Sequence, residues 1–437
     1  FVLLFGTPLM AQTALTGKVT DQSGAVLPGV TVELTSTATT QTRSAVTSDE
    51  GVYIFQQLEP GQYRLEISLS GFKTMVHDQL DIAVGITTTH NSTLELGDIQ
   101  EEIVVNAASS MLNTTDASLG QAMSGIQVLN LPSESLDPAG LLSLQAGVTY
   151  IPAQADTVGG YSGIVDTDGR TGSVNGARSD QTNITLDGVD VNDPQNGYAF
   201  SSALRATQAS LQEFRVTTSN YNADLGRSSA AQVQLVTKSG TNALHGQAYY
   251  LHRNEAFGAN DFFNNQDGID RGKLRRHVYG ASLGGPIVKD RFFLFGNYER
   301  LQHNEESSVL RDIPSMSWRD GVQVYECENP AECPGGTVQG FQNEHTIPAG
   351  WKGLSPSEMA QIDPLGIGPS RGFTDYAQQF PVPNATGGFD GVNIQGFRFN
   401  TPINNTYNTF IVRGDLNIDE DGKHTLFTRA TVQDDSI

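Results

Sequence analysis

Between Thr406 and Asn417 the side chains alternate so that Phe410, Val412 and Leu416 share one face while Thr409, Arg413, Asp415 and Asn417 share the other. Successive residues of an extended strand point to opposite sides, so this segment has one apolar and one wet face. That arrangement suits a sheet with lipid on one side and an aqueous lumen on the other. Further candidate strands are Leu244 to Arg253, Arg275 to Gly284, Arg291 to Gln302 and Lys423 to Gln433. The connections after the first and third are about twenty and one hundred residues, whereas those after the second and fourth are short, near GPIVKD and IDEDG. Outer-membrane barrels alternate long outer loops with short periplasmic turns in this manner. Residues 243–437 are therefore expected to form the first strands of an antiparallel transmembrane β-barrel, with a long outer loop at about 304–405.

The rest of the chain is also mainly β. Gly 46 and Pro 18 punctuate short runs of Val, Thr, Tyr and Phe, and no apolar 3.6-residue pattern persists over several turns. A net charge of −22 disfavours nucleic acid, whose phosphates require a clustered basic face. The one dense basic cluster, Arg271, Lys273, Arg275 and Arg276, reads as a solvated run at a strand end or as a contact for lipopolysaccharide phosphates at a barrel rim. Residues 1–14, FVLLFGTPLMAQTA, lack a starting Met and a basic leader but otherwise match the tail of a secretory signal peptide. Cys327 and Cys333 sit close together in the segment CENPAECPGG, with that export signal upstream, and are expected to form a loop-closing disulfide.

Residues 15–97 read as a β-sandwich. GKVTD, TVELTS, RSAVTSD, GVYIFQQL, GQYRLEISL, FKTMVHD and TTHNSTLEL are candidate strands, divided by turns such as Ser23-Gly24, Glu50-Gly51 and Pro60-Gly61. Tyr63, Leu65, Ile67 and Leu69 should face inward. The segment resembles the carboxypeptidase regulatory-like domain in its G-x-V-x-D, LPGVTVEL, T-x-x-x-G-x-Y-x-F and L-x-P-G-x-Y motifs, taken in order. That likeness implies an immunoglobulin- or transthyretin-like sandwich and says little of function. Zinc chemistry through His252 and Glu255 is set aside, because this H-x-x-E spacing closes an alternating strand. No other catalytic motif is present and no cofactor is nominated.

Residues 98–107 contain DIQEEIVVNA, and residues 108–242 hold short strands separated by Asn, Asp and Gly turns, with the core NGARSDQTNITLDGVDVND over Asn175 to Asp193. Asp187, Asp190, Asn192 and Asp193 lack the Gly and terminal Glu of a calcium loop, and Asx turns account for them. With LQEFRVTTSNYNADLGRSSAAQVQLVTKSG and the strand QVQLVTKSGTNALHG that follows, this order resembles the mixed α/β plug domain of TonB-dependent outer-membrane transporters, closest to the Oar-like ones. On that resemblance Glu101, Glu102, Ile103, Val104 and Val105 would form the TonB box, an extended segment captured by strand addition. Asn175, Arg178, Leu186, Asp187, Gly188 and Arg227 carry the plug signature, and Arg178 and Arg227 would pair with barrel-wall carboxylates.

The resemblance implies a bacterial outer-membrane protein with the sandwich and box in the periplasm and the long loops outside. Its partners would be TonB with the inner-membrane energising complex, outer-membrane lipid and lipopolysaccharide, and a substrate whose class, carbohydrate among others, is left to the loops. Such barrels have twenty-two strands, so this sequence reads as a fragment of a longer product. An enzyme is not expected. The alternative from another class is a surface adhesin or a carbohydrate- or protein-binding scaffold.

Overall fold

The computed structural model describes residues 13–97, 102–104, 117–131, 138–151, 171–177, 181–192, 205–222, 225–226, 228–385, 389–419 and 424–436. The sandwich comprises β1 (Ala14–Asp21), β2 (Thr31–Ser36), β3 (Thr42–Val46), β4 (Val52–Phe55), β5 (Gly61–Ser68), β6 (Thr74–Ile82), β7 (Thr87–Thr89) and β8 (Ser92–Leu94). One sheet runs β4-β1-β7, with β8 also paired to β1. The other runs β3-β2-β5-β6 and gains β9 (Glu102–Val104) beside β6. The last expected strand is split by a turn at His90, so the sandwich has one strand more than its sequence suggests. Tyr63, Leu65 and Ile67 are buried and Leu69 packs against the same core, as their alternation requires.

The next sheet has the order β10-β15-β16-β13-β14. Its members are β10 (Leu119–Ser124), β13 (Asn183–Leu186), β14 (Val189–Asp190), β15 (Leu211–Ser219) and β16 (Gln232–Thr237), with β11 (Val148–Ile151) and β12 (Thr171–Val174) pairing separately. A short α1 (Gly125–Asn130) starts at a capping box in which Ser124 and Gln127 satisfy each other's backbone. Val128, Leu186, Phe214, Val216 and Val233 lie in one apolar core, so this unit, called the plug after its sequence resemblance, is mixed α/β with its own interior.

The third sheet is an open antiparallel wall, ordered β17-β18-β19-β24-β25. Its strands are β17 (His245–Asn254), β18 (Leu274–Val288), β19 (Phe292–Pro314), β24 (Ile394–Asn417) and β25 (Thr425–Ser436). Between β17 and β18 lies α2 (Phe262–Gln266). Leu283, Leu294, Phe410, Val412, Leu426 and Val432 project from one face and are 39–59% exposed. The other face buries Phe293, Phe295, Asn297, Ile411 and Arg413. From Phe410 to Leu416 the exposed apolar band is about 20 Å along the strand, close to the height of a barrel's lipid belt. No helix among the described residues is long and apolar enough to cross a membrane, which says nothing of strands.

The long connection differs from its expectation. The expected strands end at Gln302 and begin at Thr406, where the apolar alternation stops; the observed β19 and β24 pair without a break to Pro314 and Ile394. Continuous backbone pairing above the apolar band needs no greasy face. The intervening residues fold as a small unit of α3 (Met316–Arg319), β20 (Gln323–Glu326), β21 (Gly336–Gln339), β22 (Glu344–Ile347), β23 (Trp351–Leu354), α4 (Pro356–Ile362) and α5 (Arg371–Ala377). Val322, Val324 and Ile347 centre it, and Cys327 and Cys333 are disulfide-bonded.

Candidate functional site: the junction of plug and wall

The signature Leu186-Asp187-Gly188 becomes the hairpin turn between β13 and β14. Asp187 and Gly188 both have positive φ, 51° and 79°, which is the requirement of a two-residue I′ turn and the reason Asp-Gly suits it. Leu186 points into the core. The turn leaves the Asp187 carboxylate directed at the wall while it accepts, within its own sheet, from the N–H and the hydroxyl of Thr237 at the end of β16, both at 2.8 Å. Two guanidinium groups of the wall meet it, Arg413 at 3.5 Å and Arg429 at 3.4 Å.

Arg413 is the hub. Its side chain is 3% exposed and pairs with Asp415 at 2.8 Å and with Glu59 of the sandwich at 3.0 Å. It also donates to the Thr237 carbonyl at 2.9 Å and lies over the Phe427 ring. One cation thus joins sandwich, plug and wall. Guanidinium suits the task because its fixed fork of donors serves several acceptors at once.

A second pair has the opposite polarity. Arg205 of the plug donates to both oxygens of Asp435 on β25, at 3.1 and 2.8 Å, and to Thr409 Oγ1 at 3.2 Å, with Tyr407 beneath its guanidinium. Thr207 adds a bond to Asn297 of the wall at 2.8 Å. Arg205 thus pairs with a carboxylate of the wall; Arg178 and Arg227, which were expected to make such pairs, lie outside the described residues.

Other expected residues fall as follows. Asn175 begins a turn at φ 51° with Gly176 at 76°, and its amide donates to the Thr218 carbonyl at 2.9 Å, tying β12 to the end of β15. Asp190 and Asn192 bond each other within an Asx turn, while Asp187 is turned towards the arginines; Asp193 is outside the described residues. Glu102, Ile103 and Val104 form β9, parallel to β6, and Glu101 and Val105 are not described. His252 stacks on His277 with ring centres 4.4 Å apart, whereas Glu255 accepts from the Leu274 N–H at 3.1 Å, so the H-x-x-E spacing does not converge on one point. The basic cluster is divided: Arg276 is buried on the inner face, Lys273 and Arg275 approach Glu306 and Glu255 at 3.6 and 3.9 Å, and Arg271 donates to the Gly258 carbonyl.

The sandwich touches the plug at a second place. Glu213 on β15 accepts from the Val84 N–H at 3.0 Å while Arg215 donates to the Val84 carbonyl at 3.2 Å. Burial pushes the Glu213 carboxyl up to about 7, against the opposing pull of the Val84 N–H and Arg215. Glu59, Arg205 and Arg429 were not anticipated from sequence, and Glu213 only as part of the LQEFRV stretch that carries the plug resemblance. Arg413 and Asp415 were placed on the wet face, and two opposite charges two residues apart on that face were the available signal.

Comparison with known proteins agrees with this architecture. Residues 14–95 match the carboxypeptidase regulatory-like domain family and residues 236–437 the outer membrane beta barrel domain family. The TonB-dependent transporter Oar of Myxococcus xanthus is 22% identical over 394 residues, covering 85% of this chain and 36% of that protein. The chain thus spans about a third of its relative's length. Among solved structures, the outer membrane transporter YddB of Escherichia coli is 12% identical at a TM-score of 0.35, covering 68% of this chain and 32% of that one. The siderophore receptor PirA of Acinetobacter baumannii is 14% identical at 0.31, covering 73% and 44%. Oar is a transporter rather than an enzyme. By sequence, then, the chain is a homologue of the TonB-dependent transporter Oar, an outer-membrane protein in which a carboxypeptidase regulatory-like domain precedes outer-membrane β-barrel sequence.

Proposed function

We propose that the protein acts in TonB-dependent transport across the outer membrane, with residues 108–242 as a plug that gates the barrel. The observation carrying this reading is the polar seat of the plug: Asp187 against Arg413 and Arg429, and Arg205 against Asp435. An apolar seat would hold by area and resist displacement, whereas ion pairs between two folded units weaken steeply once water enters. The exposed apolar face of the wall meets lipid, and its basic residues above that band face lipopolysaccharide. The small unit between β19 and β24, at the end of the wall with the long connections, is positioned to capture substrate.

TonB would grip the segment Glu101 to Val105. Its central residues already show the required property, since Glu102–Val104 pair along the edge strand β6, and backbone pairing of this kind is what strand addition uses. The test is binding of the purified TonB carboxy-terminal domain to the full-length protein. Val104→Pro removes a backbone donor and is expected to lower affinity at least tenfold; unchanged binding refutes the assignment of the box.

A further inference from the structure

The amino-terminal sandwich has no role in the reading above, yet it is bound to the other two units at separate points. Glu59 reaches Arg413 of the wall at 3.0 Å. The backbone of Val84 is held from both sides by Glu213 and Arg215 of the plug. Thr40, in the turn between β2 and β3, bonds Asp290 in the short turn between β18 and β19. Asn242, where the plug leads into the wall, completes that contact: its side chain donates to Asp290 at 2.7 Å and its N–H to the Ala38 carbonyl at 3.0 Å. The sandwich therefore lies across the short-turn end of the wall, over the interior strands β15 and β16 of the plug sheet.

The fit is close. A Cβ at Gly85 would stand 2.2 Å from Gln234 Oε1, so the loop after β6 rests directly on β16. It is also imperfect, because Gln234 Oε1 is buried without a hydrogen-bond partner among the described residues. Glu213 is a buried carboxyl at the same seam. Desolvated polar groups of this kind subtract from an interface. A contact meant to last would replace them with apolar packing, as permanent interfaces do.

Residues 102–104 pair with Thr74–Val76 at one end of β6, and the other end of β6 leads into Val84. Tension on the segment is thus passed to the sandwich through β6.

We infer that the sandwich is a reversible latch, which when seated holds the plug closed at the short-turn end and which must leave its seat before the plug sheet becomes accessible. That tension from TonB is what unseats it rests on the transport reading; the latch itself does not.

The experiment uses the full-length protein in nanodiscs, in a Cys327→Ser, Cys333→Ser background so that these two positions contribute no thiol. Gln234→Cys reports access to the seam through its rate of maleimide labelling, followed by mass spectrometry at the peptide that carries it, and Thr40→Cys with Asp290→Cys forms a bridge that locks the sandwich to the wall. Closing the bridge, checked by gel mobility, is expected to slow labelling at least tenfold, and reduction to restore it. Glu59→Gln combined with Arg215→Ala, which removes the donor to the Val84 carbonyl, should raise the rate in the unbridged protein. Equal rates with the bridge open and closed overturn the latch, and so does a reporter that stays unlabelled in the unseating variant. Hydrogen exchange at the amides of residues 232–237, with and without the bridge, gives the same decision without a reporter cysteine. Adding the TonB carboxy-terminal domain to the unbridged protein should accelerate labelling; failure of that arm alone refutes the role of TonB and leaves the latch standing.

Discussion

Replacing Arg413 by Ala removes the cation on which three carboxylates converge. Asp187, with a side chain 2% exposed, is left with Arg429 at 3.4 Å. Asp415, 13% exposed, loses its partner at 2.8 Å, and the Thr237 carbonyl loses a donor at 2.9 Å. Breaking one side of a buried pair costs about 3–5 kcal/mol. Because Arg429 still faces Asp187, we expect the lower end, about 3 kcal/mol, which is roughly a hundredfold in an opening equilibrium. Native-state hydrogen exchange on the full-length protein in nanodiscs reads this directly at the amides of residues 183–187 and 237, the last of which donates to Asp187. Arg413→Lys should recover only part of the loss, since one ammonium lacks the fork that serves several acceptors. Asp187→Asn is the matching change in the plug, and Asn tolerates the positive φ of 51° that the turn requires, so it removes charge and leaves the turn. The double variant should lose less than the sum of the single ones by at least 1 kcal/mol, the sign of a direct pair. Additive effects, or exchange in Arg413→Ala within twofold of the parent, would refute the view that this junction seats the plug.

Three further outcomes follow from titration and crosslinking. Burial, together with the neighbouring His77, holds His90 down at about 4, below its ordinary 6.5; a group depressed on folding contributes stability that is present above 6.5 and lost as pH falls towards 4, about 2 kcal/mol after allowing for partial solvent exposure. Exchange at β1 amides followed through that window should show the loss, and His90→Asn should flatten it. Glu213 behaves in the opposite sense: its carboxyl is raised from 4.5 to about 7, so seating of the sandwich is strongest near pH 4.5 and weakens by about 2–3 kcal/mol as pH rises to 7, a slope that Glu213→Gln should abolish in the bridging assay. Removing the Cys327–Cys333 bond, which closes a short loop, should cost about 2 kcal/mol locally, seen as faster proteolysis between β20 and β23 with the wall strands unaffected.

What could be read from sequence was whatever depends on neighbours along the chain. The two-faced alternation around Phe410 and Val412 located the wall, and Leu186-Asp187-Gly188 located a turn, because strand period and turn chemistry are local properties. The inward row Tyr63, Leu65 and Ile67 was legible for the same reason. The upper halves of β19 and β24 were not, since their apolar residues, Val309, Ile313, Phe397 and Phe399 among them, are scattered between charged and polar ones and do not continue the alternation of the lower halves. The partners of Asp187 were also out of reach: Arg413 and Arg429 lie more than two hundred residues away, and Asx-turn logic accounted for the aspartate without them. Glu59 gave no signal at all, being a half-exposed side chain of the sandwich, 47% accessible, whose only distinction is the unit it touches.

The makeup of the Arg413 cluster bears on why such a seat can be opened and closed repeatedly. A buried ion pair that is pulled apart ordinarily leaves two bare charges in a poor solvent, and that penalty would make release slow and the emptied wall unstable. Here the wall keeps its own counter-charge, because Arg413 remains paired with Asp415 at 2.8 Å on the same strand when the plug carboxylate departs. The charge that leaves, Asp187, moves with the Thr237 hydroxyl and N–H that already solvate it within the plug. Each side thus carries part of the solvation the other supplied, so separation costs less than the removal of either residue by mutation. The cluster should therefore yield to displacement more readily than the Arg413→Ala loss implies, and this gap between mutational cost and separation cost distinguishes a seat from a permanent core.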